Sequence, residues 1–162
     1  MTRIPGRAVI FSRFRPSPFI RALNKYGLDR CTMRGSTLLI GLKPHPDHGY
    51  TCVETLPETF RSVGFLEAPL QADLIAAFAT SPEAQAVESL TIGTSHDYGD
   101  RVDREKLSVG YDMTVAVAAL RGTRFPALRR LTVGNMLRLF NGSRSFGRLG
   151  DVTHLFAAAP HL

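Results

Sequence analysis

"FPALRRLTVGN", residues 125–135, decides the fold. It starts on a proline-marked turn and runs into a short apolar strand. A near copy, "AVESLTIGT", stands upstream at 86–94. Val87, Leu90 and Ile92 correspond to Leu128, Leu131 and Val133 at one constant offset, and Thr91 and Gly93 correspond to Thr132 and Gly134 at the same offset. Residues two apart on a strand share a face, so Leu131 and Val133 point to one side, with Leu128 entering from the preceding turn. Thr132 and Arg130 point to the other. Three apolar side chains cannot close a core alone. Each is worth ~1.5–3 kcal/mol when buried, so such units must cover one another.

Each strand follows a helical pattern closed by proline. "PLQADLIAAFATSP" places Leu70, Leu74, Ile75 and Phe78 on one face, with Pro82 closing it. "DMTVAVAALRGTRFP" has Asp112 as cap and Pro126 as stop. "DVTHLFAAAP" repeats the scheme: Asp151 caps, Val152, Leu155, Phe156 and Ala159 share a face, and Pro160 ends it. Pro126 and Leu128 map onto Pro160 and Leu162 at a shorter offset. The loops absorb the difference in length, as insertions in repeats do. The same two echoes also fit an ordinary α/β domain with a parallel sheet. The fixed-period match, with helix and proline before each strand, favours stacked units.

On these residues, 69–162 resembles the leucine-rich repeat proteins, in particular an irregular bacterial kind with long loops. The resemblance implies an α/β fold: a short solenoid of parallel strand–helix units shaped as a right-handed horseshoe, its concave face binding other proteins. Two departures stand out. The asparagine of L-x-x-L-x-L-x-x-N is replaced by Ser95 and Met136, and the spacing exceeds the common 20–29 residues. Residues 1–68 would form an N-terminal α+β capping region, a basic helix plus a β-hairpin. The last unit would be incomplete, because the next strand should begin at Leu162; a longer chain or a second subunit would cover that end.

Within that N-terminal region, "RAVIFSRF" at 7–14 alternates like a strand. "SPFIRALNKYG" reads as a helix: Ser17 caps, Pro18 takes the first position, Phe19, Ile20 and Leu23 share a face, and Gly27 stops it. Its arginine-rich, acid-poor amphipathic character also fits a mitochondrial presequence, although serine is sparse. "STLLIGL" (36–42) and "YTCVETL" (50–56) read as strands joined by "KPHPDHG" into a hairpin, and "SVGFLEAP" (62–69) as a further extended piece.

At 162 residues and 44% hydrophobic, the chain is long enough for a real core. No apolar run of membrane-spanning length occurs, nor a secretory signal core. The net charge of +6 is unevenly laid out, with +7 over 1–34, −7 over 35–120 and +6 over 121–162. Basic ends around an acidic middle suit self-association or an anionic partner. Two cysteines, Cys31 and Cys52, make no disulfide framework and suit a reducing, cytoplasmic setting, with a bridge between them left open.

No catalytic, cofactor or metal set emerges. His45, His48 and Cys52, with Cys31 or Asp47 as a fourth ligand, have metal-binding side chains, but Pro44 and Pro46 account for the segment as a rigid turn. Asp97, Asp100, Asp103 and Glu105 are spaced by three rather than two, and Gly99 is misplaced for a calcium loop. Ser95, His96 and Asp97 are too close in sequence to converge as a triad. "FNGSRSFGRLG" (140–150) reads as a loop before it reads as a phosphate contact. The expected role is therefore a non-enzymatic protein–protein interaction scaffold, its partner contacted by Glu88, Ser89, Thr91, Arg129, Arg130 and Thr132. Self-association through the open C-terminal end is a second expectation. The alternatives are nucleic-acid binding by an N-terminus that interleaves Phe11, Phe14, Phe19 and Tyr26 with arginines, and a metal-dependent hydrolase using His45 and His48.

Overall fold

The structure, a computed structural model, describes residues 16–41, 51–53, 60–93, 112–135 and 149–162. In chain order its elements are α1 (Pro18–Tyr26), β1 (Cys31–Arg34), β2 (Thr37–Ile40), β3 (Thr51–Cys52), β4 (Ser62–Phe65), α2 (Ala72–Ala79), α3 (Pro82–Ala86), β5 (Ser89–Gly93), α4 (Thr114–Ala118), β6 (Arg130–Asn135) and α5 (Thr153–Ala158). The fold is mixed α/β. Six strands form one sheet in the order β3-β1-β2-β4-β5-β6. β1 is antiparallel to both β2 and β3, and β2, β4, β5 and β6 run parallel. β4, before residue 69, pairs with β5, after it, in the same sheet.

The parallel strands are in register. Leu38 pairs with Val63, Val63 with Leu90 and Leu90 with Leu131; Ile40 pairs with Phe65, Phe65 with Ile92 and Ile92 with Val133. The constant offset read from the sequence is thus the pairing of β5 with β6, with a register irregularity only at Gly93. Where the strands start, one arrangement of main-chain bonds recurs. The Ser36 carbonyl accepts from the Arg61 and Ser62 N–H groups, that of Arg61 from Glu88 and Ser89, and that of Glu88 from Arg129 and Arg130.

Leu38, Ile40, Val63, Phe65, Leu90 and Ile92 belong to a single core cluster with Phe19 and Leu23 of α1, Leu74, Ile75 and Phe78 of α2, Ala116 and Val117 of α4, and Leu155 of α5. The helices therefore cover one face of the sheet. Phe19 lies edge-on to Phe60, Phe65 and Phe78, with centroids 6.2, 6.3 and 5.1 Å away. Edge-to-face packing suits the ring quadrupole.

Helix α1 forms as its sequence dictates. The Ser17 hydroxyl accepts from the Ile20 N–H, Pro18 occupies the first turn, and the Gly27 N–H closes onto the Leu23 carbonyl with φ at +111°. Asp112 and Asp151 each accept from the N–H two residues on, Thr114 and Thr153, and so start α4 and α5.

Several expectations are corrected. Strand 36–42 does not pair with 50–56. It forms its hairpin with β1 through the two-residue turn Gly35–Ser36, and β3 adds to the other side of β1. Gly35 has φ at +59°, which two-residue hairpin turns require. Pro82 does not merely close α2; it opens α3 from the first helical turn. Leu70 is 68% exposed, because it ends a 3-10 turn (Ala68–Leu70) outside α2, and Gln71 is buried in its place. Phe156 is 64% exposed, while Leu155 and Ala159 take the buried side of the short helix α5. The strand expected at 7–14 lies outside the described residues.

Candidate functional site

The face of the sheet turned away from the helices is the candidate site. Strand alternation puts Thr37 and Leu39 of β2, Ser62 and Gly64 of β4, Ser89 and Thr91 of β5, and Arg130 and Thr132 of β6 on it. Thr37, Leu39, Ser62, Ser89, Thr91 and Thr132 are half-buried, Gly64 is buried and Arg130 is exposed. Register aligns them into rows: Thr37–Ser62–Ser89–Arg130 and Leu39–Gly64–Thr91–Thr132. Gly64 lets its neighbours close in, for a Cβ there would stand 2.8 Å from Leu39 Cδ2. Toward β1 the face is more enclosed: Thr32, paired with Leu39, is 0% exposed. The most exposed member of these rows is Arg130, at the β6 edge. The hydroxyls and the guanidinium on the β5–β6 side offer hydrogen bonds and positive charge.

Of the six residues singled out in the sequence, Ser89, Thr91, Arg130 and Thr132 lie on this face. Glu88 and Arg129 do not. They share the parity of core-facing Leu90 and Leu131 and stand just before β5 and β6, at the strand starts. There Arg61 reaches Glu88 at 3.5 Å in an exposed ion pair. Exposed pairs of this kind contribute about 0–1 kcal/mol.

A polar cluster that the sequence does not disclose sits at the other end of the strands. Tyr26 donates to Glu67 Oε2 at 2.7 Å, Arg30 donates to the same oxygen at 2.9 Å, and Gln71 Nε2 donates to the Tyr26 hydroxyl at 3.0 Å and to the Ile40 carbonyl at 3.2 Å. The Arg30 guanidinium lies 4.8 Å from the Tyr26 ring centre. Burial, reinforced by the bond to Glu67, pushes the Tyr26 hydroxyl well above its ordinary range. This cluster ties α1 to the ends of β2 and β4 and so acts as a lock. A second polar contact joins α1 to α3: Ser17 donates to the buried Glu83 carboxylate at 2.7 Å, and the Phe19 N–H donates to Ser81.

Phe19, expected in one reading to stack on bases, is instead fully buried at the centre of the aromatic core, and Tyr26 is engaged in the polar lock. Phe11 and Phe14 lie outside the described residues, as do His45, His48, Asp47, Ser95 to Asp97, Asp100, Asp103, Glu105, and Phe140 to Arg148. Cys31 is a free, buried thiol whose Sγ donates to the Gly27 carbonyl at 3.6 Å. Burial, with Asp29 nearby, pushes it up to about 12. The backbone register sets Thr32, not Cys31, opposite Cys52. Among the described residues no group of three or more His, Cys, Asp or Glu side chains gathers as a metal site, and no helix is long and apolar enough to cross a membrane. No protein-family model matches the chain, and no curated protein or solved structure does.

Proposed function

We propose that the protein is a non-enzymatic protein–protein interaction scaffold, built of strand–helix units of the leucine-rich-repeat kind, that offers the β5–β6 side of its open sheet face to a partner. The carrying observation is the residue-for-residue register of Ser89 with Arg130 and Thr91 with Thr132 on that face. It makes one continuous surface of two strands that lie far apart in the sequence.

The unit spacing supports the same reading. The steps from Leu38 to Val63 and from Val63 to Leu90 both fall within the period of roughly 20–29 typical of these repeats. The longer step to Leu131 contains the polar segment 94–111. The helices agree as well. Phe19-Ile20-Leu23, Leu74-Ile75-Phe78, Ala116-Val117-Leu120 and Leu155-Phe156-Ala159 share one apolar spacing. On this reading the units begin at β2, ahead of the 69–162 stretch that carries the resemblance. A cytoplasmic location fits the unbridged Cys31 thiol.

The test is capture of a partner from lysate of the cells that make the protein. Thr91→Arg with Thr132→Arg places two long cations in the middle of the open face and leaves the core rows untouched. The double variant is expected to lose the captured partner at unchanged Tm. Undiminished capture by the folded variant contradicts the assignment.

A further inference from the structure

β6 is built like its neighbour but is not covered like it. Leu90 and Ile92 are 0% exposed, whereas Leu131 and Val133, their partners in register, are only half-buried. β5 has a parallel strand on each side; among the described residues β6 has one on a single side. Leu149, itself exposed, lies against Gly134 of β6. An edge of this kind is a template for a further strand.

Charge at the strand starts says what that strand should carry. The aligned positions there are Arg61, Glu88 and Arg129, whose carbonyls and N–H groups form the recurring main-chain bonds. Arg61 and Glu88 are neighbours in that row and pair as ions. Arg129 is next and exposed, and among the described residues neither it nor Arg130 has a carboxylate partner. A strand laid on the far side of β6 in the same parallel register sets its first residue beside Arg129 and its third and fifth beside Leu131 and Val133. The matching chemistry is acidic, any, apolar, any, apolar, the pattern of Glu88-Ser89-Leu90-Thr91-Ile92 on the near side.

We propose that the outer edge of β6 is a docking site for an extended, acid-led segment of a partner protein, added as a parallel strand. Main-chain bonds supply the affinity, and Arg129 with the Leu131–Val133 pair supplies the selectivity. A second copy of this chain is a poorer occupant. Its own segment of this pattern is sealed inside the sheet as β5, between β4 and β6. A nucleic acid would satisfy the arginines and leave the apolar pair uncovered. The inference concerns the sheet edge and stands apart from the open-face reading.

The experiment is a fluorescence-anisotropy titration of the full chain against a labelled Glu-Ser-Leu-Thr-Ile-Gly peptide. The expected result is saturable binding, weakened on the order of tenfold by Arg129→Glu, since reversal turns attraction into repulsion. A lysine-led version of the peptide should bind the Arg129→Glu variant better than it binds the unaltered chain. Circular dichroism establishes that the variant is folded. No saturable binding, equal binding of the acid-led and lysine-led peptides, or preference for a single-stranded oligonucleotide over the peptide overturns the proposal. So does a sedimentation profile in which the chain alone is a dimer that the peptide does not dissociate.

Discussion

Gly41 and Gly35 both take backbone angles that side chains avoid, yet they stand in different surroundings. Gly41 ends β2 with φ at +97°, and a Cβ there would lie 2.9 Å from both Gln71 Nε2 and Glu67 Cγ. Gly35 turns the β1–β2 hairpin at +59° with nothing within 4 Å. Gly35→Ala should therefore cost only the left-handed backbone penalty, about 1 kcal/mol. Gly41→Ala adds disruption of the polar lock and should cost about 3 kcal/mol. Urea unfolding of the two variants separates them, and equal losses would show that Gln71 and Glu67 yield freely. What is legible at this scale is local chemistry: the Ser17 cap, Pro18 and the Gly27 stop. The Gly35–Ser36 turn is equally local, but the prolines of 43–49 draw the expected hairpin to the wrong place. The lock is not legible, because Gln71 and Tyr26 are 45 residues apart and only the fold joins them.

At the scale of elements, apolar spacing locates the helices better than it locates their buried faces. Leu70 has the right interval from Leu74, but the helix begins at Ala72 and the preceding turn directs Leu70 outward. Phe156 follows buried Leu155 by a single residue and is 64% exposed, whereas Ile75, one residue after buried Leu74, is covered. Spacing alone treats Phe78 and Phe156 alike; packing does not. Phe78 is fully buried against Phe19 and Phe65. Phe78→Ala should cost about 3–5 kcal/mol, while Phe156→Ser should leave the thermal midpoint nearly unchanged. A calorimetric scan of both checks this, and a large loss from Phe156→Ser would mean that the side chain is covered.

At the scale of the whole molecule, the legible part is the echo between 86–94 and 125–135, because both strands keep Leu-Thr-(Ile/Val)-Gly. The equivalent strand β4 reads as extended but not as part of the series. It has Gly64 where the others have threonine, and it stands closer in sequence to β5 than β5 does to β6. Residues 1–68 therefore read as a separate cap; in the structure β2 pairs in parallel with β4, and β4 with β5. Outward positions of a strand are not constrained by packing, so the apolar pattern carries no information about what the open face does.

β5 and β6 lie side by side in this register, and cross-linking tests that directly. Paired residues on adjacent strands are about 5 Å apart, within disulfide reach. Thr91→Cys with Thr132→Cys should form a 91–132 disulfide under mild oxidation, identified by non-reducing peptide mapping. Thr91→Cys with Val133→Cys, offset by one residue and on opposite faces, should not. A bridge in the second pair and none in the first would contradict the register, and with it the shared surface.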